Sequence, residues 1–75
     1  IKLEPLYVEA YSDIGAIYIE NNNFSLAVRF LEKSLQIKPD TLSSNINLGL
    51  IYRKFGKHKT ALKYFSNALR INISL

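Results

Sequence analysis

The sequence predicts an all-α fold, a solenoid of antiparallel helix pairs, from three observations. It repeats itself with a period of 34 residues, apolar residues inside each period recur at helical spacing, and β-type alternation persists nowhere. Shifting the chain by 34 places Pro5 on Pro39, Gly15 on Gly49, Ile17 on Ile51, Tyr18 on Tyr52, Ala27 on Ala61, Leu35 on Leu69 and Ile37 on Ile71. Other pairs keep their character: Ile14 with Leu48, Phe30 with Tyr64, Leu31 with Phe65, Ser34 with Ala68. Residues 8–41 and 42–75 are therefore two copies of one unit, and residues 1–5, which align with 35–39, are expected to be the tail of a preceding one.

Four helices follow in order, near 8–21, 25–38, 42–55 and 59–72. In the first, Tyr7, Tyr11, Ile14 and Tyr18 form one stripe. Asn21, Asn22 and Asn23 interrupt it, and Asn22 aligns with Gly56; both residues tolerate the left-handed conformation that ends a helix. Asn23 can cap the second helix, whereas its counterpart Lys57 cannot cap the fourth. Pro39 stops the second helix. That helix is apolar around most of its circumference (Leu26, Ala27, Val28, Phe30, Leu31, Leu35, Ile37), so it must be covered on several sides, by its own partner and by neighbouring units.

Length and composition bound the rest. Seventy-five residues make one small domain, and 48% hydrophobic with 21% charged residues excludes a wholly disordered chain. Ordering each residue costs on the order of 1.5 kcal/mol, so stability is expected to be marginal. With no cysteine and a single histidine, His58, disulfide staples and Cys/His metal sites are excluded, and no metal or other cofactor is expected. The lack of cysteine fits a reducing cytoplasm. No apolar run approaches the roughly 20 residues of a membrane span. The chain does not start with methionine, which suggests a piece of a larger repeat protein. Charge is uneven: residues 1–40 carry four basic and six acidic side chains, residues 41–75 six basic and no acidic ones.

The pattern Tyr11, Ile14-Gly15, Tyr18, Ala27, Leu31, Ser34, Pro39, followed by Leu48-Gly49, Tyr52, Gly56, Ala61, Phe65, Ala68, resembles the tetratricopeptide repeat over essentially the whole chain. The resemblance implies a right-handed superhelix in which Gly15 and Gly49, with Ala27 and Ala61, let paired helices approach closely. Asn45 departs from it, standing where Tyr11 keeps a large aromatic. His58 replaces the aromatic seen at Phe24, where it is expected to cover the core edge, and Ile73 replaces the expected proline.

The resemblance also implies a scaffold that binds proteins or peptides on a concave face lined by the first helix of each unit. Opposite the packing stripe lie Glu9, Asp13, Ala16 and Glu20, with the matching set Ser43, Asn47, Leu50 and Lys54, flanked by Ser12, Ile46 and Arg53. This groove would be acidic at one end, apolar near Ala16, Ile46 and Leu50, and basic at the other, suiting a peptide of opposite polarity. The lysine–asparagine–arginine clamp by which chaperone-tail binders of this family grip a carboxylate is not expected, because only Asn47 matches it. Asparagines at this place hold ligand backbone in the superhelix of certain sugar transferases, but Asp13 breaks such a ladder.

Two other readings compete. In the first the chain self-associates, its open ends (Ile1, Leu3 and Leu6; Leu69, Ile71, Ile73 and Leu75) stacking on copies of itself. In the second it is a scaffold arm of a larger enzyme such as a sugar transferase. The basic run Arg53, Lys54, Lys57, His58, Lys59 lacks any Gly-rich loop or stacking platform, so nucleic acid is disfavoured as a partner. Catalysis is not expected: no nucleophile motif or phosphate loop is present, and Glu9, Asp13 and Glu20 form a helical ladder rather than an enclosed acid/base pair.

Overall fold

A computed structural model describes residues 5–74, with side chains from 7 to 73. It contains four helices: α1 (Pro5–Glu20), α2 (Phe24–Ile37), α3 (Leu42–Lys54) and α4 (His58–Ser74), with no strand among the described residues. α1 packs along α2 and α3 along α4, and α3 also rests on α2 and touches α1. Short turns between packed neighbours make each pair antiparallel. The result is the expected solenoid of two helix pairs.

Two boundaries differ from expectation. α1 is already helical over residues 5–7, ahead of the start expected near residue 8. α4 runs on to Ser74, since Ile73 does not stop it as Pro39 helps to stop α2. Of the expected preceding-unit tail, residues 1–4 lie outside the described residues, and residue 5 belongs to α1.

The turn that closes each first helix is built twice in the same way. Asn22 and Gly56 adopt φ of 61° and 76°. The N–H of Asn23 donates to the Tyr18 carbonyl at 2.8 Å and that of Asn22 to Ile19 at 2.9 Å. One period on, Lys57 donates to Tyr52 at 2.9 Å and Gly56 to Arg53 at 3.0 Å. This crossed pair of bonds around a left-handed residue satisfies carbonyls that a helix end leaves open. Asn23 then caps α2, its Oδ1 accepting from the Leu26 N–H at 3.4 Å.

The core is one cluster across both units: Ala27 and Leu31 of α2 with Leu48 and Ile51 of α3, edged by Tyr18, Phe24, Val28, Leu35, Tyr52 and Tyr64. The close approaches expected at the glycines are present. A Cβ on Gly15 would sit 2.7 Å from the Leu31 side chain, and one on Gly49 would sit 2.6 Å from the Phe65 ring. Aromatic pairs repeat too, Tyr18 stacking on Phe30 at 5.6 Å and Tyr52 on Tyr64 at 5.7 Å. Tyr11 adds a second ring against Phe30 at 6.2 Å. Its counterpart Asn45 is fully buried and instead donates from Nδ2 to the carbonyls of Thr41 and Pro39, at 2.9 and 3.2 Å. Asn45 thus ties the turn to α3 where an aromatic ring would have filled space; among the described residues its Oδ1 is left without a hydrogen-bond partner.

Between the units runs a buried hydroxyl chain. Ser44 Oγ lies 2.6 Å from Ser12 Oγ and 2.5 Å from Ser34 Oγ, and Ser34 donates to the Leu31 carbonyl at 2.6 Å. One serine comes from each of α1, α2 and α3, so the chain fixes how the second unit sits on the first. Ser44→Ala removes the shared partner and is expected to cost about 1–2 kcal/mol in urea unfolding. The triple change of Ser12, Ser34 and Ser44 to alanine should cost less than the sum of the three single changes, because it leaves no stranded hydroxyl. Strict additivity would show that the chain does not act as a unit.

Candidate groove on the α1/α3 layer

The two layers are spaced differently. α1 touches α3, whereas the backbones of α2 and α4 do not approach each other among the described residues. The α1/α3 side is the tighter one, and ten of the eleven sequence-chosen groove residues are open to solvent on it, wholly or in part. Glu9, Asp13, Glu20, Ser43, Ile46, Leu50, Arg53 and Lys54 are exposed, and Ala16 and Asn47 half-buried. Ser12 differs. It is only 8% exposed and its hydroxyl is engaged by Ser44, because α3 of the next unit covers it. It positions the second unit and presents nothing to a groove.

Asn47, Leu50 and Lys54 meet in a cleft of about 260 Å³ together with Ile19, Asn22, Phe24 and Ile51. Leu50 stands 40% exposed on its wall. At the rim the Lys54 ammonium lies 5.5 Å from the centre of the Phe24 ring, which in turn packs edge-on against Phe55 at 5.5 Å. A cation held over an aromatic face beside exposed aliphatic surface suits an apolar side chain next to an acidic group. Arg53 points its guanidinium at the Phe65 ring, 5.9 Å away, outside this cleft. Glu9, Asp13, Ala16, Glu20, Ser43 and Ile46 do not line it either. The sequence reading missed Ile19, although Ile19 is the one-period counterpart of Arg53, which was in the set; the repeat register alone would have found it. Phe24 enters the cleft because its ring is held by residues of the following unit.

That arrangement also corrects the expectation for His58, which is exposed rather than set over the core edge. The residues that hold Phe24, Lys54 and Phe55, belong to the next unit. Of the residues expected at the open ends, Leu69 and Ile73 are exposed and Ile71 is buried. The side chains of Ile1, Leu3, Leu6 and Leu75 lie outside the described residues.

The opposite side carries a second cleft, of about 310 Å³, lined by Glu32, Leu35, Gln36 and Tyr64. Burial, aided by the negative charge of Glu32, raises the phenols of Tyr52 and Tyr64 above the usual tyrosine value. Among the described residues no group of three metal-ligating side chains forms, and no helix is long and apolar enough to cross a membrane.

These features have known relatives. The family model of the tetratricopeptide repeat matches residues 8–41 and 42–72, and the chain belongs to that family. It is therefore a scaffold of the protein-interaction class. It is 32% identical over 68 residues to the Anaphase-promoting complex subunit CDC16 of Saccharomyces cerevisiae, covering 81% of this chain and 8% of that protein. Anaphase-promoting complex subunit 6 of Arabidopsis thaliana is 30% identical over 67 residues, 83% of this chain and 12% of its own length. A Caenorhabditis elegans relative named as a Protein O-mannosyl-transferase is 27% identical over 62 residues, 83% of this chain and 9% of its own. The chain thus spans about a tenth of the length of these curated relatives. Among solved structures, that of MamA superposes with a TM-score of 0.87 at 30% identity, over 96% of this chain and 42% of MamA.

Proposed function

We propose that the α1/α3 face binds a peptide or protein segment, and that the chain itself catalyses nothing. The observation that carries this is the cleft lined by exposed Leu50 and half-buried Ile19, with the Lys54 ammonium over the Phe24 ring at its rim. Buried apolar surface supplies affinity and the flanking charges set direction: an acidic ligand residue at Lys54, basic ones along Glu9, Asp13 and Glu20. The test uses an array of short peptides carrying a central leucine or phenylalanine, with acidic and basic flanks in both orders. Peptides with the acid on the Lys54 side should be retained, and Leu50→Glu should weaken them at least about tenfold, with the circular dichroism spectrum unchanged. Equal retention by Leu50→Glu would place the site elsewhere.

A second reading is supported by the likeness to the protein named as an O-mannosyl-transferase: the segment is the scaffold arm of a larger enzyme. In such a parent the same groove would dock a partner or substrate polypeptide, with catalysis contributed by another domain.

A further inference from the structure

The turns that close α1 and α3 share a backbone and differ in charge. Both are folded by crossed bonds around a left-handed residue. Unit 1 places Glu20, Asn23 and Ser25 there, and one period on the same places hold Lys54, Lys57 and Lys59. One negative charge has become three positive ones, and unit 2 contains no acid that could neutralise them.

Packing does not explain the change. Glu20, Asn23 and Ser25 are exposed although unit 2 packs on unit 1, and Lys54, Lys57 and Lys59 are exposed likewise. These places therefore face solvent whether or not another unit follows. His58 is set aside, because its counterpart Phe24 is covered by Lys54 and Phe55 of the following unit. Helix chemistry also runs against the lysines. An ammonium accepts no hydrogen bond, so Lys57 cannot cap α4 as Asn23 caps α2, and Lys57 and Lys59 both sit at the positive end of the α4 dipole. Three like charges between residues 54 and 59 repel one another as well. An opposite charge bound at the turn would relieve all of this.

Lys54 joins the three lysines to the cleft beside Leu50. The rings around the turn pack on cations or on one another, Phe24 with Lys54 and Phe55, Phe65 with Arg53, rather than forming the row of open faces on which nucleic-acid bases stack. A flat bilayer could meet the turn but not the cleft. A polypeptide can meet both.

We infer that the polypeptide held in the groove carries an internal run of acidic residues directly after its apolar anchor, and that it leaves the groove across the turn between α3 and α4, its first acid at Lys54 and the next ones at Lys57 and Lys59. This rests on the groove as the binding face and adds the ligand's composition and its exit path.

Fluorescence anisotropy with two synthetic peptides, both blocked at their ends, checks it. One carries a leucine followed by a single glutamate, the other a leucine followed by three. The second should bind at least about fivefold more tightly at low salt, and the advantage should shrink as salt is raised. The double change Lys57→Asn with Lys59→Ser copies the turn of unit 1 and supplies a cap, so it should melt no lower than wild type. It should cut the advantage to less than about twofold and leave binding of the single-glutamate peptide unchanged. Leu50→Glu should weaken both peptides; if it weakens neither, the groove is not the binding face and the inference falls with it. Equal binding of the two peptides by wild type, or an undiminished advantage in the double variant, would overturn the inference and leave the groove standing. So would an oligothymidylate or phosphatidylserine vesicles bound as tightly as the three-glutamate peptide and released by the same double change, since the turn would then be a general anion surface.

Discussion

Leu31→Ala is expected to leave the chain largely unfolded at 37 °C and to lose both units in a single transition. Leu31 is fully buried, its side chain fills the space over Gly15, and it shares a cluster with Leu48 and Ile51 of the second unit. Truncating a buried leucine costs about 2–5 kcal/mol once the cavity left behind is included. A domain of this length holds only about 4–11 kcal/mol in total, at roughly 0.05–0.15 kcal/mol per residue. Urea denaturation followed by circular dichroism measures the loss. Because the cluster joins α2 to α3, unit 2 should melt with unit 1; full retention of the α3/α4 helicity would show that the units are energetically separate.

The second large effect is a contrast between two equivalent glycines. Replacing a helical glycine with alanine gains up to about 1 kcal/mol of intrinsic propensity. At Gly15 the new methyl would lie 2.7 Å from two atoms of Leu31, with the Ala27 carbonyl at 3.4 Å behind it. Leu31 is enclosed and cannot move aside, so overpacking of about 1–3 kcal/mol exceeds the gain and Gly15→Ala destabilises. At Gly49 the obstacle is the Phe65 ring, whose side chain is only half-buried and can swing outward. Gly49→Ala should therefore stay within about 1 kcal/mol of wild type. Thermal melts of the two variants decide the matter: a larger cost at Gly49 would mean that Phe65 is the more rigid wall.

Much of this was legible in the sequence because a repeat states its pattern twice. The glycines, the alanines and the pair Asn22/Gly56 align across the period, and each performs the role its size or backbone freedom permits. Single-copy departures were harder to read. Asn45 stands where the repeat expects an aromatic, and its amide finds two carbonyls at the turn, a partnership that depends on the path of residues 39–41. Ser12 lies on the groove side of its helix wheel, yet it is covered by a helix 32 residues later. Helical periodicity reports which face of a helix points where; it does not report how far a neighbouring helix leans over that face. The cleft was half legible for the same reason: Asn47, Leu50 and Lys54 lie on one helix at steps of three and four, while Ile19 and Phe24 come to it from α1 and α2.

Among the described residues, helices touch those one or two places away in order, α1 with α2 and α3, α2 with α3, α3 with α4. Low sequence separation of this kind means little loop entropy must be lost before each contact forms, which places folding in the microsecond-to-millisecond range. It also means that tension applied to the two termini has no long-range staple to break, so the chain should peel inward from its ends at low force and re-form when released.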